Sequence, residues 1–553
     1  MKAPYSLLLC YCAAAAEGLV TRSRLQQQQQ HAARTNSTTS SHGPSVKISQ
    51  GTVHGKIANS TPNVRQFLGI PYGKPPLGDL RFAPPEPAGP FGDLNAKHLP
   101  PSCMQYLSKN PPSIYTQDIN EYNLQGLNSS SHAISEDCLT LSIWAPTLAS
   151  SDDSHEEDDD EKEDEAALPV VMFIYGGAFA TGGEDVPYQI PAQWVQRTQR
   201  HIVVSFNYRV NIFGFPNAAG LDNGKRNLGL LDQRLAVEWV RDNIAAFGGD
   251  PARITLWGQS AGAISAGYYQ FAYPSDPIVQ GVIMDSGNEL LTSSLFMDPT
   301  HSNFSYVAER FGCGSIAGDK KMAPADELRC MRGSNVSAQA IENFIQGHDQ
   351  ALELPFIFFA PEVDDVTVFS DYDDRAKRGQ VAKIPAILGS NAHDGVAFVW
   401  LQPNGVNESA ADAVTLGVFF CTAFKAATNR LAAGLPVYRY EYQGNITSVA
   451  PQDYLGAYHS SELPMIFGTF DNFRSQDDLT ENGRHAAATS RAMQDAWLAF
   501  ATSGSAGMSA VDWSRYVPGG NVRIFGYDDV PAMSGSLKST EQLCSRTSND
   551  LDR

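Results

Sequence analysis

Arg253-Ile-Thr-Leu-Trp-Gly-Gln-Ser260-Ala-Gly262 carries an apolar run straight into a serine set between two glycines. Ile254 to Trp257 reads as a buried strand, and the residues from Ala263 to Gln270 can continue as a helix. Gly258 and Gly262 have a steric reason to be there. The turn is tight, and a Cβ at either place would collide with the neighbouring strand or helix. Such a turn lifts the Ser260 hydroxyl above the edge of a sheet. A helix starting at Ser260 aims its free N–H groups and its positive end at the same spot. A five-residue glycine pattern recurs by chance in a chain with 46 glycines. Its weight therefore comes from the flanking strand and helix, and from whether a base, an acid and an oxyanion site can also be found.

Further strands flank this stretch at Thr140–Trp144, Val170–Ile174, Ile202–Phe206, Ile384–Gly389 and Val437–Gln443. Between them Leu228–Phe247 reads as an amphipathic helix, with Leu228, Leu231, Leu235, Val237 and Trp239 suggesting its apolar face. Strands alternating with helices imply an α/β fold with a mostly parallel central sheet covered on both faces. Order begins near Val46 in an alternating, hairpin-like segment. No internal repeat divides the chain beyond it, so residues 44–548 are expected to form a single large domain.

The N-terminus places one lysine before a short apolar stretch ending in Ala13-Ala-Ala-Ala16. This predicts a secretory signal peptide over 1–16, too short to span a bilayer. Residues 17–43, with Gln26–Gln30 followed by Ser, Thr and His, lack apolar periodicity and are expected to be disordered. No later segment reads as transmembrane. Eleven acids and one lysine fall between Asp152 and Glu165, so 151–166 reads as a solvated acidic insertion rather than a calcium loop. The net charge of −20 argues against nucleic acid and anionic membranes as partners. Cys103, Cys138, Cys313, Cys330, Cys421 and Cys544 remain after signal removal, an even count that suggests disulfides in an extracellular protein. Sequons at Asn36, Asn59, Asn128, Asn303, Asn335, Asn407 and Asn445 fit the same compartment.

A strand, a sharp serine turn and a helix make the nucleophile elbow of an α/β-hydrolase, where the triad runs Ser, acid, His along the chain. That order leaves His459 and His485 as candidate bases. His485 lies in a stretch of helical composition and reads as a surface helix residue. His459 follows the strand at Val437, where a parallel sheet places reactive groups. Asp394 is the expected acid. It follows the strand from Ile384 and precedes Gly395. For the oxyanion, the Ala261 N–H supplies one donor, and the turn Gly176-Gly-Ala-Phe179 after the strand at Val170 supplies others. No His-Glu-x-x-His motif, cysteine cluster or dinucleotide glycine pattern is present, so neither metal nor cofactor is expected.

The chain resembles the type-B carboxylesterase family, which includes cholinesterases and fungal secreted lipases. The resemblance runs from Val46 to Cys544. It rests on Phe67-Leu-Gly-Ile-Pro-Tyr72, Leu80-Arg-Phe82, Glu136-Asp-Cys138, Tyr175–Phe179, Asn227–Gln233 and Gly258–Gly262. It implies a serine carboxylesterase with Ser260 as nucleophile, Asp394 as acid, His459 as base, and oxyanion donors at Gly177, Ala178 and Ala261. It also implies the disulfides Cys103–Cys138, Cys313–Cys330 and Cys421–Cys544. Three positions depart from the family pattern. Asp394 replaces the usual Glu and is one methylene shorter, so the His459 loop is expected to sit closer. Ala178 replaces a glycine, and Gln259 stands where many members carry Glu. The loop Met104–Asp137 lacks a clear apolar helical stripe and has no Trp. The expected substrates are therefore small or medium soluble esters, with an interfacial triacylglycerol lipase, a secreted-metabolite esterase or acyltransferase, and a non-catalytic adhesion-type homologue as the alternatives.

Overall fold

The computed structural model describes residues 43–551 apart from 111, 117–133, 148–165, 292–297, 317–319, 403–404, 451 and 473–480. The expected signal segment, nearly all of 17–43, nearly all of the acidic insertion, and Asn36 and Asn128 lie outside the described residues. Contacts divide the chain into Met1–Gly43 and Pro44–Arg553, and the fold is that of the second unit.

Its centre is a sheet of eleven strands. In chain order these are β1 (Lys56–Ala58), β2 (Thr61–Pro71), β3 (Thr140–Pro146), β4 (Leu168–Ile174), β5 (Ile202–Phe206), β6 (Gly249–Gln259), β7 (Gly281–Asp285), β8 (Ala386–Asn391), β9 (Val437–Tyr442), β10 (Asn521–Tyr527) and β11 (Val530–Ser536). Across the sheet they run β11-β10-β9-β8-β7-β6-β4-β5-β3-β2-β1. Pairing is parallel from β5 through β10 and antiparallel at both margins. In register, Leu256 of β6 sits between Met172 of β4 and Val282 of β7. Every residue of β5, β7, β8 and β9 is buried, as a parallel sheet with covered faces requires. A small separate sheet pairs Ser45–Ile48 with Gly51–His54, the expected hairpin.

The helices that matter for the site are α1 (Leu228–Asn243), α2 (Ala261–Ala272), α3 (Ala338–Gln350), α4 (Cys421–Ala432) and α5 (Glu481–Ser503). The sequence predicts one helix to Phe247. The chain instead leaves α1 at Asn243 and makes a 3₁₀ turn, Ile244–Phe247, closed by Gly248 at φ 96°. The buried face of α1 is Leu228, Leu230, Ala236, Val237, Trp239 and Val240, while Leu231 and Leu235 are only half-buried.

One expectation needs correction. His485 does lie in a helix, α5, but it is buried rather than superficial. α5 packs against β10 and β11, which brings His485 Nε2 to 3.3 Å from the Gly526 carbonyl. One helical stretch among the described residues, Glu408–Ala432, is long and apolar enough to cross a membrane by length and composition. Its C-terminal part, α4, contacts β8 and β9 and is tied down by a disulfide at Cys421. The disulfides are Cys103–Cys138, Cys313–Cys330 and Cys421–Cys544, the pairing the resemblance implies.

Candidate active site

The carboxyl ends of β4, β6, β7, β8 and β9 open on one edge of the sheet, and each delivers polar groups there. Ser260 caps α2 directly after β6 at φ 55° and ψ −123°, a conformation a non-glycine residue holds only under constraint. The constraint is visible. A Cβ on Gly258 would meet the Gly262 carbonyl oxygen at 2.1 Å, and one on Gly262 would meet the Ile174 oxygen at 2.0 Å. Gly258 is therefore required by backbone on the other side of the turn, and Gly262 by the end of β4. The Ser260 N–H donates to the Asp285 carbonyl at 2.8 Å, which fixes the elbow to the end of β7.

Asp394 lies three residues beyond β8 and is completely buried. Its Oδ1 accepts from His459 Nδ1 at 2.7 Å. Its Oδ2 accepts from the Asn391 backbone N–H at 2.7 Å and from Ser286 Oγ at 2.9 Å. The shorter acid is met by direct docking of the two loops. The His393 N–H donates to the Ala457 carbonyl at 3.0 Å, and Asn391 Nδ2 donates to the Tyr458 carbonyl at 2.7 Å. Gly456, at φ 58°, allows this approach, since a Cβ there would lie 2.6 Å from His393 Nδ1. Ser460, directly after the imidazole, is held at φ 76°.

With Nδ1 donating to Asp394, Nε2 of His459 is left to accept. It faces the Gln259 side-chain amide nitrogen at 3.2 Å. Among the described residues Ser260 Oγ makes no hydrogen bond, so the acid–imidazole half of the constellation is assembled and the serine half is not. Catalytic hydrogen bonds in ligand-free enzymes are often long and tighten when substrate binds. Gln259 is buried, and its Oε1 would be 2.7 Å from a Cβ on Gly176. Its amide thus fills the space between the Gly176–Phe179 turn and the imidazole. That turn, after β4, holds Gly177, Ala178 and Phe179 at φ 105°, 55° and 61°. A Cβ on Gly176 would lie 2.9 Å from the Ser260 Cβ, so the turn abuts the nucleophile elbow.

The ring of His459 is walled by Phe398, Phe419 and Tyr115, with centroids 4.9, 5.0 and 6.4 Å away. Beneath Asp394 lie two more buried carboxyls. Burial raises Asp285 to about 7, against the hydrogen bond from Trp257 Nε1 to its Oδ2 at 2.5 Å. Burial, reinforced by Asp285 and Asp394, raises Glu462 well above the usual carboxylate range. Ser286, Asn391, Phe398, Phe419 and Tyr115 are site residues that the sequence reading misses. Ser286 had a signal, since it follows β7 at the same sheet edge. The aromatic wall had none, because its members come from three separate segments.

A central parallel sheet with a strained serine at one strand end and a buried acid–imidazole pair beside it defines an α/β-hydrolase. The comparisons give the same class. A solved thermophilic PNB esterase is similar over 91% of this chain and 100% of its own, with a TM-score of 0.71 and 26% identity. A chlorogenic acid esterase of Aspergillus niger is 42% identical over 462 residues, 84% of this chain and 83% of its own. Secreted lipase 5 of Gibberella zeae is 39% identical over 85% of this chain and 87% of its own. The carboxylesterase family model matches residues 42–415, and the chain belongs to that family. It is a carboxylic ester hydrolase.

Proposed function

We propose that this hydrolase works through a Ser260–His459–Asp394 triad and an acyl-enzyme on small or medium soluble esters. The observation that carries the reading is the fully buried His459–Asp394 pair at 2.7 Å beside the strained Ser260 elbow. Asp394 holds the imidazole in the tautomer whose Nε2 takes the serine proton as the hydroxyl attacks the ester carbonyl. For this the amide of Gln259 gives up Nε2 to Ser260. The N–H groups of Gly177, Ala178 and Ala261 receive the oxyanion, His459 returns the proton to the leaving alcohol, and water repeats the cycle on the acyl-enzyme. Removing one oxyanion donor in such a site costs about 10²–10³-fold in rate.

The aromatic wall of Phe398, Phe419 and Tyr115 favours a flat or apolar group beside His459, and the relative named a chlorogenic acid esterase makes chlorogenic acid the first ester to try. A second reading, an interfacial lipase, is favoured by the exposed Phe398, Trp400, Leu401 and Val418, all on the segments that carry this wall. We also propose a secreted, glycosylated protein with a cleaved signal peptide at 1–16. The signal segment, the paired cysteines and the secreted relative support it. Asn59, Asn335, Asn407 and Asn445 are exposed, whereas Asn303 is half-buried and spends its amide nitrogen on the Phe358 carbonyl at 3.0 Å.

The test is fluorophosphonate labelling, expected on the wild type and abolished in Ser260→Ala, with His459→Ala and Asp394→Ala strongly slowed. Label that persists on Ser260→Ala would remove Ser260 from the mechanism. A series of p-nitrophenyl esters of rising chain length, with chlorogenic acid alongside, separates the two substrate readings. Saturation below the solubility limit marks an esterase, and a jump above it marks a lipase.

A further inference from the structure

The oxyanion turn is a run of strained backbone at the site. Gly177, Ala178 and Phe179 are all left-handed in succession, at φ 105°, 55° and 61°. For a non-glycine residue that conformation is costly and persists only where surrounding contacts over-determine it. Part of the hold is local, since the Ala180 and Thr181 N–H groups donate to the Gly177 carbonyl at 2.9 and 3.0 Å. Among the described residues, hydrogen bonds from two residues outside the turn supply the rest. Gln105 clamps the downstream end, accepting from the Gly182 N–H at 2.8 Å and donating to the Gly182 carbonyl at 2.7 Å. The other is the Asn211 N–H, which donates to the Phe179 carbonyl at 2.7 Å.

Asn211 is itself a non-glycine residue at φ 54°, and it is buried. Its Nδ2 donates to both carboxyl oxygens of Glu342, at 3.2 and 3.0 Å. Glu342 lies on α3 and is 1% exposed. Among the described residues Asn211 is its one hydrogen-bonding partner, and no cation pairs with it. Burial raises Glu342 to about 8, with the Asn211 bond pulling the other way. A lone buried carboxyl costs stability, and packing alone would be served better by an apolar side chain. What this carboxyl does is hold Asn211.

We propose that Glu342, acting through Asn211, is a positioning residue for the oxyanion turn. Its carboxyl fixes the Asn211 side chain, and the Asn211 N–H then fixes the Phe179 peptide plane, which sets where the Gly177 and Ala178 N–H groups point. The inference rests on the proposed oxyanion role of those two groups. It links a helix far along the chain to the stabilisation of the transition state.

Five variants test it at pH 6.5 with p-nitrophenyl acetate and with a trifluoromethyl ketone, whose serine adduct places an oxyanion on the same donors. Glu342→Ala is expected to lower kcat by about 10–100-fold, bounded above by the loss of a whole donor, with KM within about twofold. The ketone Ki should rise by the same factor. Glu342→Gln, which keeps the acceptor oxygen, should recover kcat to within about threefold of wild type. In the Asn211→Gly background the Glu342→Ala penalty should shrink to about twofold, because two residues acting in series are not additive. Asn211→Ala reads the same kcat and Ki and stands in if Glu342→Ala does not fold. The inference is overturned if the Ala variants keep wild-type kcat, if kcat falls while Ki does not, or if Glu342→Gln is as impaired as Glu342→Ala. A wild type that hydrolyses no ester fails the triad reading instead; an active wild type with unaffected variants fails only this inference.

Discussion

At Gln259 a single neutral amide occupies the position facing the imidazole. The Gln259 amide nitrogen lies 3.2 Å from Nε2, and a carboxylate in its place would favour an imidazolium. In the proposed mechanism the base works only when neutral, so a charge placed beside it would move the acid side of the activity profile. Gln259→Glu is expected to move the acid limb of kcat/KM against pH upward by about one unit, since an opposite charge at this range shifts a partner by about 1–3 units. Gln259→Ala should leave the limb within a few tenths of a unit while altering kcat through the freed imidazole. Profiles of the three proteins on p-nitrophenyl acetate decide it, and a Glu variant whose limb stays put or moves down would show that Gln259 does not face the working base. Gln259 also shows how far residues can be read singly. Its departure from the family pattern is plain in the sequence, but its contact with a group 200 positions away is a product of the fold.

Elements explain why most of this site is legible from sequence. Each expected group follows an apolar run, and a parallel sheet sends the ends of those runs to one edge, so strand-then-polar predicts Ser260, Asp394 and His459 without knowing the strand order. The glycines of the elbow are legible for the same reason, because a Cβ at Gly262 meets the end of β4 whatever the side chains are. What remains illegible depends on side-chain packing between segments: the Phe398, Phe419 and Tyr115 wall, the burial of His485 under β10 and β11, and the parking of Gln259 on Nε2. The joint between the two loops is an element-scale feature with its own consequence. Gly456 lets the His459 loop lie on the Asp394 loop, and a methyl there would both strain a left-handed residue and strike His393. Gly456→Ala is expected to cost about 1–3 kcal/mol of stability and to lower kcat at least about tenfold by parting the His459–Asp394 bond. Chemical denaturation and esterase kinetics on the same sample measure both. A variant that loses stability yet keeps kcat would show that the loop joint does not position the base.

Across the whole molecule the titration of buried acids sets the direction of the stability profile. Burial raises Asp285 to about 7 and Glu184 and Glu342 to about 8, and holds Glu462 well above the usual carboxylate range. In the unfolded chain the same groups titrate near 4. Between those values the folded protein holds protons that the unfolded chain has released. Stability from these groups is therefore complete below about pH 4 and is lost as pH rises through 7 and 8, because unfolding then relieves buried charge. The net charge of −20 works in the same direction, since each buried acid that ionises adds to an excess of its own sign. Paired acids such as Asp371, held low by Arg378 and Arg375, oppose this only at the acid end, where their own protonation begins. The protein is thus expected to be more stable at pH 5 than at pH 9, with its denaturation midpoint falling as pH rises from about 5 to about 8. Asp285→Asn should flatten part of that fall, as an amide can still accept from Trp257 and has no charge to bury. Urea or thermal midpoints across this range measure it, and a midpoint that holds level or rises toward pH 9 would mean that these carboxyls are not buried as neutral acids in the folded protein.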